Sequence, residues 1–207
     1  MAGLFAGHFL RRAGWAVDIF ERTSDRLSAR GAGILAHREL RAVLGELGID
    51  TDTGFGVPIP TRVVLDADDR IIASRTMPQV ATGWTRVHTL LAHAFPAAHY
   101  HVGIDFERFE QRADGVAAIF AGGRCEVADV LIGADGFRSQ VRRGLFHDIV
   151  PEYAGYVAWR GIVPEADIES QPFARASLFA FNLPPGEHMV GYPVAGSGDD
   201  LTVGRRR

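Results

Sequence analysis

Residues 129–142 carry the clearest structural pattern of the chain: Asp129-Val130-Leu131-Ile132-Gly133-Ala134-Asp135-Gly136-Phe137-Arg138-Ser139-Gln140-Val141-Arg142. The apolar residues at its start are typical of a buried strand, and the glycines on either side of Asp135 predict a tight turn after that strand. A helix is expected over 138–146. Open α/β sheets hold ligands at the carboxyl ends of their strands, so Asp135 and Gly136 are candidate ligand-binding residues. The alternative is that Asp135 is an ordinary turn or cap residue.

The N-terminal residues show a second pattern, a helix followed by a short strand. Apolar residues recur at helical spacing over 4–13, Gly14 follows where a helix would end, and residues 15–20 predict a buried strand. Glu21 closes that strand, 18 residues after Gly3. In a dinucleotide-binding βαβ unit, a glycine at the helix start allows close packing, the helix N–H groups face the pyrophosphate, and an acid after the second strand binds the ribose. A chance occurrence of both residues in an α/β protein is the alternative.

The remaining chain alternates between helical and strand patterns, which predicts an α/β fold. After Pro151 the sequence becomes rich in aromatic residues and in short stretches with strand-like patterns. We therefore expect one domain over 1–150 and the start of a β-sheet domain over 151–207. The predicted helices cover 40–47 and 87–95, and residues 24–36 predict a loop. The predicted strands cover 62–65, 71–73, 99–102, 106–111, 116–120, 127–132, 156–160, 177–181 and 189–194. The first two of these strands flank Asp66–Asp69 and predict a hairpin.

Composition limits the class of protein. Of the 207 residues, 47% are hydrophobic and 23% charged, and the net charge of −3 offers no basic surface for nucleic acid. No apolar run reaches the roughly 18–20 residues that a membrane span needs. Cys125 is the one cysteine, so an internal disulfide is impossible and a cytoplasmic location is expected.

Taken together, these motifs resemble the flavoprotein monooxygenases of the para-hydroxybenzoate hydroxylase type. Residues 129–142 resemble the mid-chain motif of that family, and the segment from Gly3-Leu4 to Glu21-Arg22 is similar to the end of its N-terminal glycine fingerprint. Three further segments resemble other parts of the family. Arg30-Gly31-Ala32-Gly33-Ile34 resembles its arginine-containing flavin loop, and Trp84-Thr85-Arg86 resembles the start of the helix that precedes its middle strands. Residues 153–161 resemble the beginning of the substrate domain in hydroxylases of dihydroxypyridine-like rings.

The resemblance implies a Rossmann-like FAD-binding domain followed by a β-rich substrate domain. It implies FAD and NAD(P)H as cofactors and hydroxylation of a small aromatic or N-heteroaromatic ring with O₂. No catalytic residue and no metal ligand is implied, and a homodimer stays open. The implied cofactor-binding residues are Gly3, Leu4, Glu21, Arg22, Arg30, Gly31, Ala32, Arg86, Asp135 and Gly136.

The resemblance also implies that both ends of the family pattern are missing. A strand and two glycines would precede Gly3, and a later Gly-Asp motif is absent from the chain. We therefore expect a truncated protein that is inactive when made alone. A different flavoenzyme of the same fold, such as a halogenase or a reductase, and a non-catalytic binding module are the alternatives.

A few other side chains are candidates for a site. His99 and His101 have the spacing of a metal-binding pair on a strand, although surface or packing roles are favoured without a third ligand. His37 could face the flavin or simply begin a helix. Several aromatic residues could line a substrate pocket or belong to the core: Trp159, Phe173, Phe179, Phe181 and Tyr192.

Overall fold

The computed structural model describes residues 1–23, 33–168 and 177–207. The chain forms two compact units, and each unit combines two separate segments of sequence. The first contains residues 1–29 and 88–158, and the second contains residues 30–87 and 159–207. The domain division predicted near residue 150 instead separates two consecutive segments of sequence, 1–150 and 151–207, and it stays a prediction.

Helices and strands alternate along most of the chain. The elements are α1 (Ala2–Arg12), β1 (Ile19–Glu21), β2 (Gly33–Ala36), α2 (Arg38–Glu46), β3 (Val57–Leu65), β4 (Ile71–Gly83), α3 (Trp84–Ala94), β5 (Tyr100–Val102), β6 (Phe106–Arg112), β7 (Gly115–Phe120), β8 (Cys125–Ala128), α4 (Gln140–Leu145), β9 (Leu178–Asn182) and β10 (Met189–Gly191). Short 3₁₀ turns occur at Ala97–His99, Ala121–Gly123, Glu165–Ile168 and Ser197–Asp199.

In the first unit, α1 precedes a parallel pair of strands. β1 lies parallel to β5, with Glu21 opposite Val102, and β6, β7 and β8 form an antiparallel meander. The ring of Phe20 on β1 lies 4.5 Å from the ring of the buried Phe120 on β7, measured between centroids. Because apolar side chains from both sets of strands pack together, the meander covers the parallel pair.

The end of α1 is fixed by a glycine, as its sequence predicts. Gly14 has a φ of +92°, and the N–H of Trp15 donates to the carbonyl of Leu10 at 3.0 Å. This is a Schellman-type ending, in which a residue with positive φ turns the chain back toward the helix. The turn sends the chain into β1.

The second unit is built on a mixed sheet with the strand order β10-β9-β3-β4-β2 in the part that the structure describes. β3 and β4 form the predicted hairpin around Asp66–Asp69, and β3 also pairs with β9 in parallel. The buried residues Ile59, Ala81 and Phe179 form its core. A charged pair, Glu165 and Arg206, is buried in the same unit, with side chains 3% and 2% exposed.

Three strand predictions were wrong. The buried strand expected over 15–20 is shortened to β1 (Ile19–Glu21), and residues 15–18 lie outside it, with Trp15 exposed. The strand expected over 127–132 is β8, which ends at Ala128, and residues 129–134 extend without a strand partner among the described residues. Residues 156–160, expected to be β-rich, lie in no helix or strand. Conversely, part of the loop expected over 24–36 is strand β2. A strand requires a neighbour that pairs with its backbone, and a short apolar run cannot specify that neighbour.

No helix in the described ranges has both the length and the apolar character that crossing a membrane requires.

Candidate functional site

The start of α1 lies against the turn that carries Asp135. A Cβ atom placed on Gly3 would lie 3.3 Å from the Cβ of Ala134, so the glycine permits this close approach. The first N–H groups of a helix have no partner within that helix, and they attract negative charge. The side chain of Leu4 is buried at 3% exposure, so this residue presents no side chain at the surface of the turn. The structure thus brings together two motifs that are far apart in sequence.

Asp135 holds its turn together. Its Oδ2 accepts hydrogen bonds from the N–H groups of Gln140 at 2.6 Å and Val141 at 3.3 Å, at the start of α4. Gly136 has a φ of +78°, which permits the chain to reverse there. Burial alone would raise the pKa of Asp135, but hydrogen bonds from Ser139 and from these N–H groups outweigh burial and lower it. The turn is therefore a fixed, negatively charged structure at neutral pH.

Glu21 lies at the carboxyl end of β1, as predicted. Its Oε1 accepts a hydrogen bond from the N–H of Thr23 at 3.0 Å, and its carbonyl accepts one from Ile104 at 3.1 Å. Burial lowers the pKa of the Met1 α-amino group, and the negative charge of Glu21 opposes that shift. The negative charge of Glu21 therefore acts on Met1, the N-cap residue of α1. Arg22, the next residue, is exposed.

Arg86 lies in the first turn of α3 and is held by contacts within the second unit. Its Nη1 forms an ion pair with Oδ2 of Asp199, and its Nη2 donates to the carbonyl of Gly54 at 3.4 Å. The Nε of Arg86 is buried and has no hydrogen-bond partner in the part of the chain that the structure describes. Sequence reasoning did not identify Asp199 as a partner, because 113 positions separate the two residues.

The arginine-containing loop predicted to approach the flavin, Arg30, Gly31 and Ala32, lies outside the described residues. His37, just after β2, is the N-cap residue of α2, and its exposed side chain makes no capping hydrogen bond.

The aromatic residues of the second unit differ in their surroundings. Phe179 is buried at 6% exposure and stacks on Tyr192, with centroids 5.0 Å apart and planes at 10°. Burial raises the pKa of the Tyr192 hydroxyl. Trp159 is 94% exposed, and Phe173 lies outside the described residues. Sequence reasoning overlooked Arg62, whose guanidinium lies 5.0 Å from the Phe179 ring centroid.

The two histidines singled out from the sequence share a carboxylate. Asp18 Oδ1 lies 2.8 Å from Nε2 of His101 and 3.1 Å from Nδ1 of His99, so it accepts a hydrogen bond from each ring. This cluster lies where β1 and β5 begin, at the edge opposite Glu21. Within the described ranges, no three or more His, Cys, Asp or Glu side chains are arranged to hold a metal ion. Cys125 is exposed.

Comparison with known proteins gives a family. A family model described as "FAD binding domain" matches residues 1–193. The 3-amino-4-hydroxybenzoate 2-monooxygenase of Streptomyces cremeus is 36% identical over 208 positions, covering 95% of this chain and 52% of that protein. The 2,6-dihydroxypyridine 3-monooxygenase of Paenarthrobacter nicotinovorans is 31% identical over 198 positions, covering 95% of this chain and 49% of its own length. The chain thus spans about half the length of these curated relatives.

Solved structures agree on the fold. The structure of 2,6-dihydroxypyridine-3-hydroxylase from Arthrobacter nicotinovorans superimposes with a TM-score of 0.82 at 31% identity, covering 95% of this chain and 50% of the other. A Klebsiella pneumoniae protein complexed with FAD and uric acid has a TM-score of 0.76 at 23% identity, which supports the fold alone. The predicted α/β fold of FAD-dependent hydroxylases is confirmed.

Proposed function

Because the chain belongs to the FAD binding domain family, we propose that the protein carrying it is a flavin-dependent monooxygenase that uses NAD(P)H and O₂. The observation that carries this proposal is the similarity of 95% of the chain to monooxygenases of substituted benzoates and pyridines. The proposed substrate is accordingly a small hydroxylated aromatic or N-heteroaromatic ring. The resemblance of residues 153–161 to the substrate-domain segment of dihydroxypyridine hydroxylases agrees with that class.

The residues present in the first unit fit FAD. Gly3 permits the start of α1 to pack closely against Ala134, and the first N–H groups of α1, which have no partner within the helix, are the proposed donors to a pyrophosphate. Glu21 provides an acceptor at the carboxyl end of β1, where the ribose of a dinucleotide is bound in such folds. Helix N–H donors at one position and a carboxylate acceptor at the other are complementary to the negative charge of the pyrophosphate and to the ribose hydroxyl groups of the cofactor.

Each proposed contact has a physical role. Glu21 accepts hydrogen bonds from the adenosine ribose, and the backbone of Gly3 and Leu4 faces the pyrophosphate. Asp135 and Gly136 present the rigid turn to the cofactor. By the resemblance, Arg22, Arg30 and Arg86 are assigned to supply positive charge near phosphate or flavin, and Gly31 and Ala32 are assigned to the same flavin loop as Arg30. When bound, FAD supplies the redox chemistry between NAD(P)H, O₂ and the ring, and the protein binds, orients and excludes water.

The two predicted domains have separate roles in this proposal. Residues 1–150 would bind the cofactor, and residues 151–207 would begin the sheet that contacts the substrate. A cytoplasmic location is proposed from the single, exposed cysteine, since reducing compartments keep such thiols free. The homodimer remains a prediction, and light scattering on the purified protein measures its mass.

The test uses the protein as its gene encodes it. FAD is titrated first, and NAD(P)H oxidation is then followed with a panel of phenols, hydroxypyridines and hydroxybenzoates. A monooxygenase oxidises NAD(P)H faster with its substrate present, and mass spectrometry finds one added oxygen atom in the product. Chlorinated or reduced products would instead identify a halogenase or a reductase of the same fold. FAD binding without stimulation by any ring would contradict the proposed substrate class.

A further inference from the structure

One side of β4 carries backbone groups that have no strand partner in the described part of the chain. β3 pairs with β4 from Ile71 to Ala81, whereas β2, on the other side, pairs with it only from Val80 to Gly83. The segment 71–77, here called the β4 edge, therefore has a free side. Alternate N–H and C=O groups of such a segment point away from the sheet, so it can pair with a further strand.

The side chains of the β4 edge are also open to solvent. Residues 71–76 are all exposed, and Ile71 and Ile72 are 55% and 65% exposed. Pro78 ends the edge, because a proline has no N–H to donate to a neighbouring strand. Apolar side chains on a free edge become more stable when a second strand covers them, since cross-strand pairs remove them from water.

Two charged side chains at the β4 edge have no counter-charge. Arg75 is exposed and lies directly opposite Arg62 of β3, an arrangement of like charges that is unfavourable. Asp69 is partly exposed in the turn before β4. Neither Arg75 nor Asp69 forms an ion pair with any residue that the structure describes. A strand that pairs with this edge would gain from placing an opposite charge beside each of them.

A second copy of the same edge supplies those charges in one register. Two identical edges related by a twofold axis pair antiparallel, with the axis at a residue that faces its own copy. An axis at Arg75 would oppose two arginines, and an axis at Ala73 or Ser74 would place Arg75 opposite an apolar residue. An axis at Ile72 places the two isoleucines together and Asp69 opposite Arg75 at both ends. The charges therefore select Ile72.

We propose that the β4 edge is a homodimer interface, in which two copies of the chain pair antiparallel across a twofold axis at Ile72. The contact involves residues 69–75 of each copy, fewer than the roughly 20–30 residues a side of a stable interface, so the dimer is weak and depends on protein concentration. Flavin binding plays no part in this inference. Failure of the dimer test and failure of the proposed function are therefore separate results.

Sedimentation velocity over a concentration series, on the protein as its gene encodes it, measures the dimer. Arg75→Glu should raise the dimer dissociation constant about tenfold or more, because each new glutamate faces Asp69 of the other copy. Arg38→Glu is the matched control: it makes the same change of charge at a 92% exposed arginine outside β4, and it should leave the dimer unchanged. Combining Arg75→Glu with Asp69→Lys exchanges the two charges and should restore the dimer.

Cysteine cross-linking tests the register independently of charge. A disulfide requires Cα atoms within about 7 Å of each other. In a Cys125→Ser background, Ile72→Cys should form a disulfide between two copies when diamide is added as the oxidant. Ser74→Cys should not, because the two residues 74 are offset by four positions in this register, a separation of about 13 Å.

Each result supports or overturns a stated part of the inference. A protein that stays monomeric at every concentration overturns the interface, and so does a dimer that Arg75→Glu leaves intact. Cross-linking of Ser74→Cys as efficient as that of Ile72→Cys overturns the register. If the charge exchange does not restore the dimer while its melting temperature matches that of Arg75→Glu, Asp69 and Arg75 are not paired across the interface.

Discussion

Glu165 and Arg206 form an ion pair that is almost completely shielded from water. The two carboxylate oxygens lie 3.1 and 3.0 Å from Nε of Arg206, and Glu165 also accepts a hydrogen bond from the N–H of Gly204 at 2.6 Å. Ser177 accepts a further hydrogen bond from Arg206 at 2.9 Å. A buried pair with this many hydrogen bonds holds the turn at Glu165–Ile168 to the segment around Arg206, because removing either partner leaves the other charge unpaired.

Replacing Glu165 should therefore destabilise the fold strongly. Glu165→Gln leaves the Arg206 charge buried without its counter-charge, which costs about 3–5 kcal/mol in comparable cases. Urea denaturation measures the free energy of unfolding. Glu39→Gln is the control, because the Glu39–Arg38 pair is exposed, and its loss should cost less than about 1 kcal/mol. Equal effects of the two substitutions would contradict a structural role for the buried pair.

The same pair has a defined pH dependence. Hydrogen bonds from Arg206 outweigh burial and lower the pKa of Glu165. A carboxyl group with a lowered pKa contributes stability above its unfolded pKa, and this contribution is lost as the pH falls through the folded pKa. The stability difference between the parent and Glu165→Gln should accordingly be full at neutral pH and shrink in acid. A difference that stays constant down to strongly acidic pH would contradict the ionic origin.

The close approach of Gly3 to Ala134 gives a third prediction. Gly3→Val should lower the melting temperature, because forcing extra carbon atoms into a packed contact costs about 1–3 kcal/mol. Gly45→Val is the matched control: Gly45 is also helical, but beyond its own helix no atom lies within 4 Å of the point where a Cβ atom would stand. Adding Ala134→Gly to Gly3→Val should recover part of the loss. If the Gly3 and Gly45 variants melt alike, the contact does not restrict residue 3.

Much of the fold was predictable because it depends on local sequence. The end of α1 at Gly14 and the hairpin around Asp66–Asp69 depend on residues within a few positions of one another. The position of Glu21 at the end of β1 follows from the same kind of local pattern. The remaining contacts depend on residues that meet only after folding. The ion pair of Arg86 with Asp199 is one such contact, and no spacing rule identifies it.

The incorrect strand predictions have a related cause, as residues 129–132 show. Val130 and Ile132 have the apolar character of a strand, yet they are 56% and 48% exposed and lie beyond the end of β8. Side-chain pattern reports which residues favour burial, but the pairing of backbone groups decides where a strand forms. The positions of three candidate residues in the first unit were predictable for the opposite reason, while their role in cofactor binding stays a prediction. Gly3, Glu21 and Asp135 follow from motifs whose geometry each short segment specifies by itself.

The carboxylate shared by two histidines gives a fourth prediction. Burial alone would raise the pKa of Asp18, but hydrogen bonds from His101 and His99 outweigh it and lower the pKa. The contribution of the Asp18 carboxylate to folding stability should be present at neutral pH and lost as the pH falls through the folded pKa of this group. Because Asp18 is 46% exposed, Asp18→Asn should cost no more than about 1 kcal/mol. Melting temperatures measured against pH, with the exposed Glu152→Gln as control, should converge in acid. A pH-independent loss would show that charge is not involved.

The last prediction concerns Glu21, whose proposed partner is the adenosine ribose of FAD. One carboxylate oxygen already accepts the N–H of Thr23 at 3.0 Å, which orients the group, and the other oxygen has no hydrogen-bond partner among the described residues. A charge-assisted hydrogen bond contributes about 1.5–3 kcal/mol, so Glu21→Ala should weaken FAD binding roughly 10- to 150-fold. Glu21→Gln should weaken FAD binding less, because the amide oxygen of the glutamine still accepts a hydrogen bond from the ribose.

The affinity of the Glu21→Ala variant for ADP should fall in parallel, since ADP carries the same ribose, whereas its affinity for FMN should be unchanged. Fluorescence titrations of the protein as its gene encodes it, with ADP as competitor and the exposed Glu187→Gln as control, measure all three ligands. If Glu21→Ala weakens FMN as much as ADP, the substitution perturbs the fold around β1, and the ribose assignment is wrong.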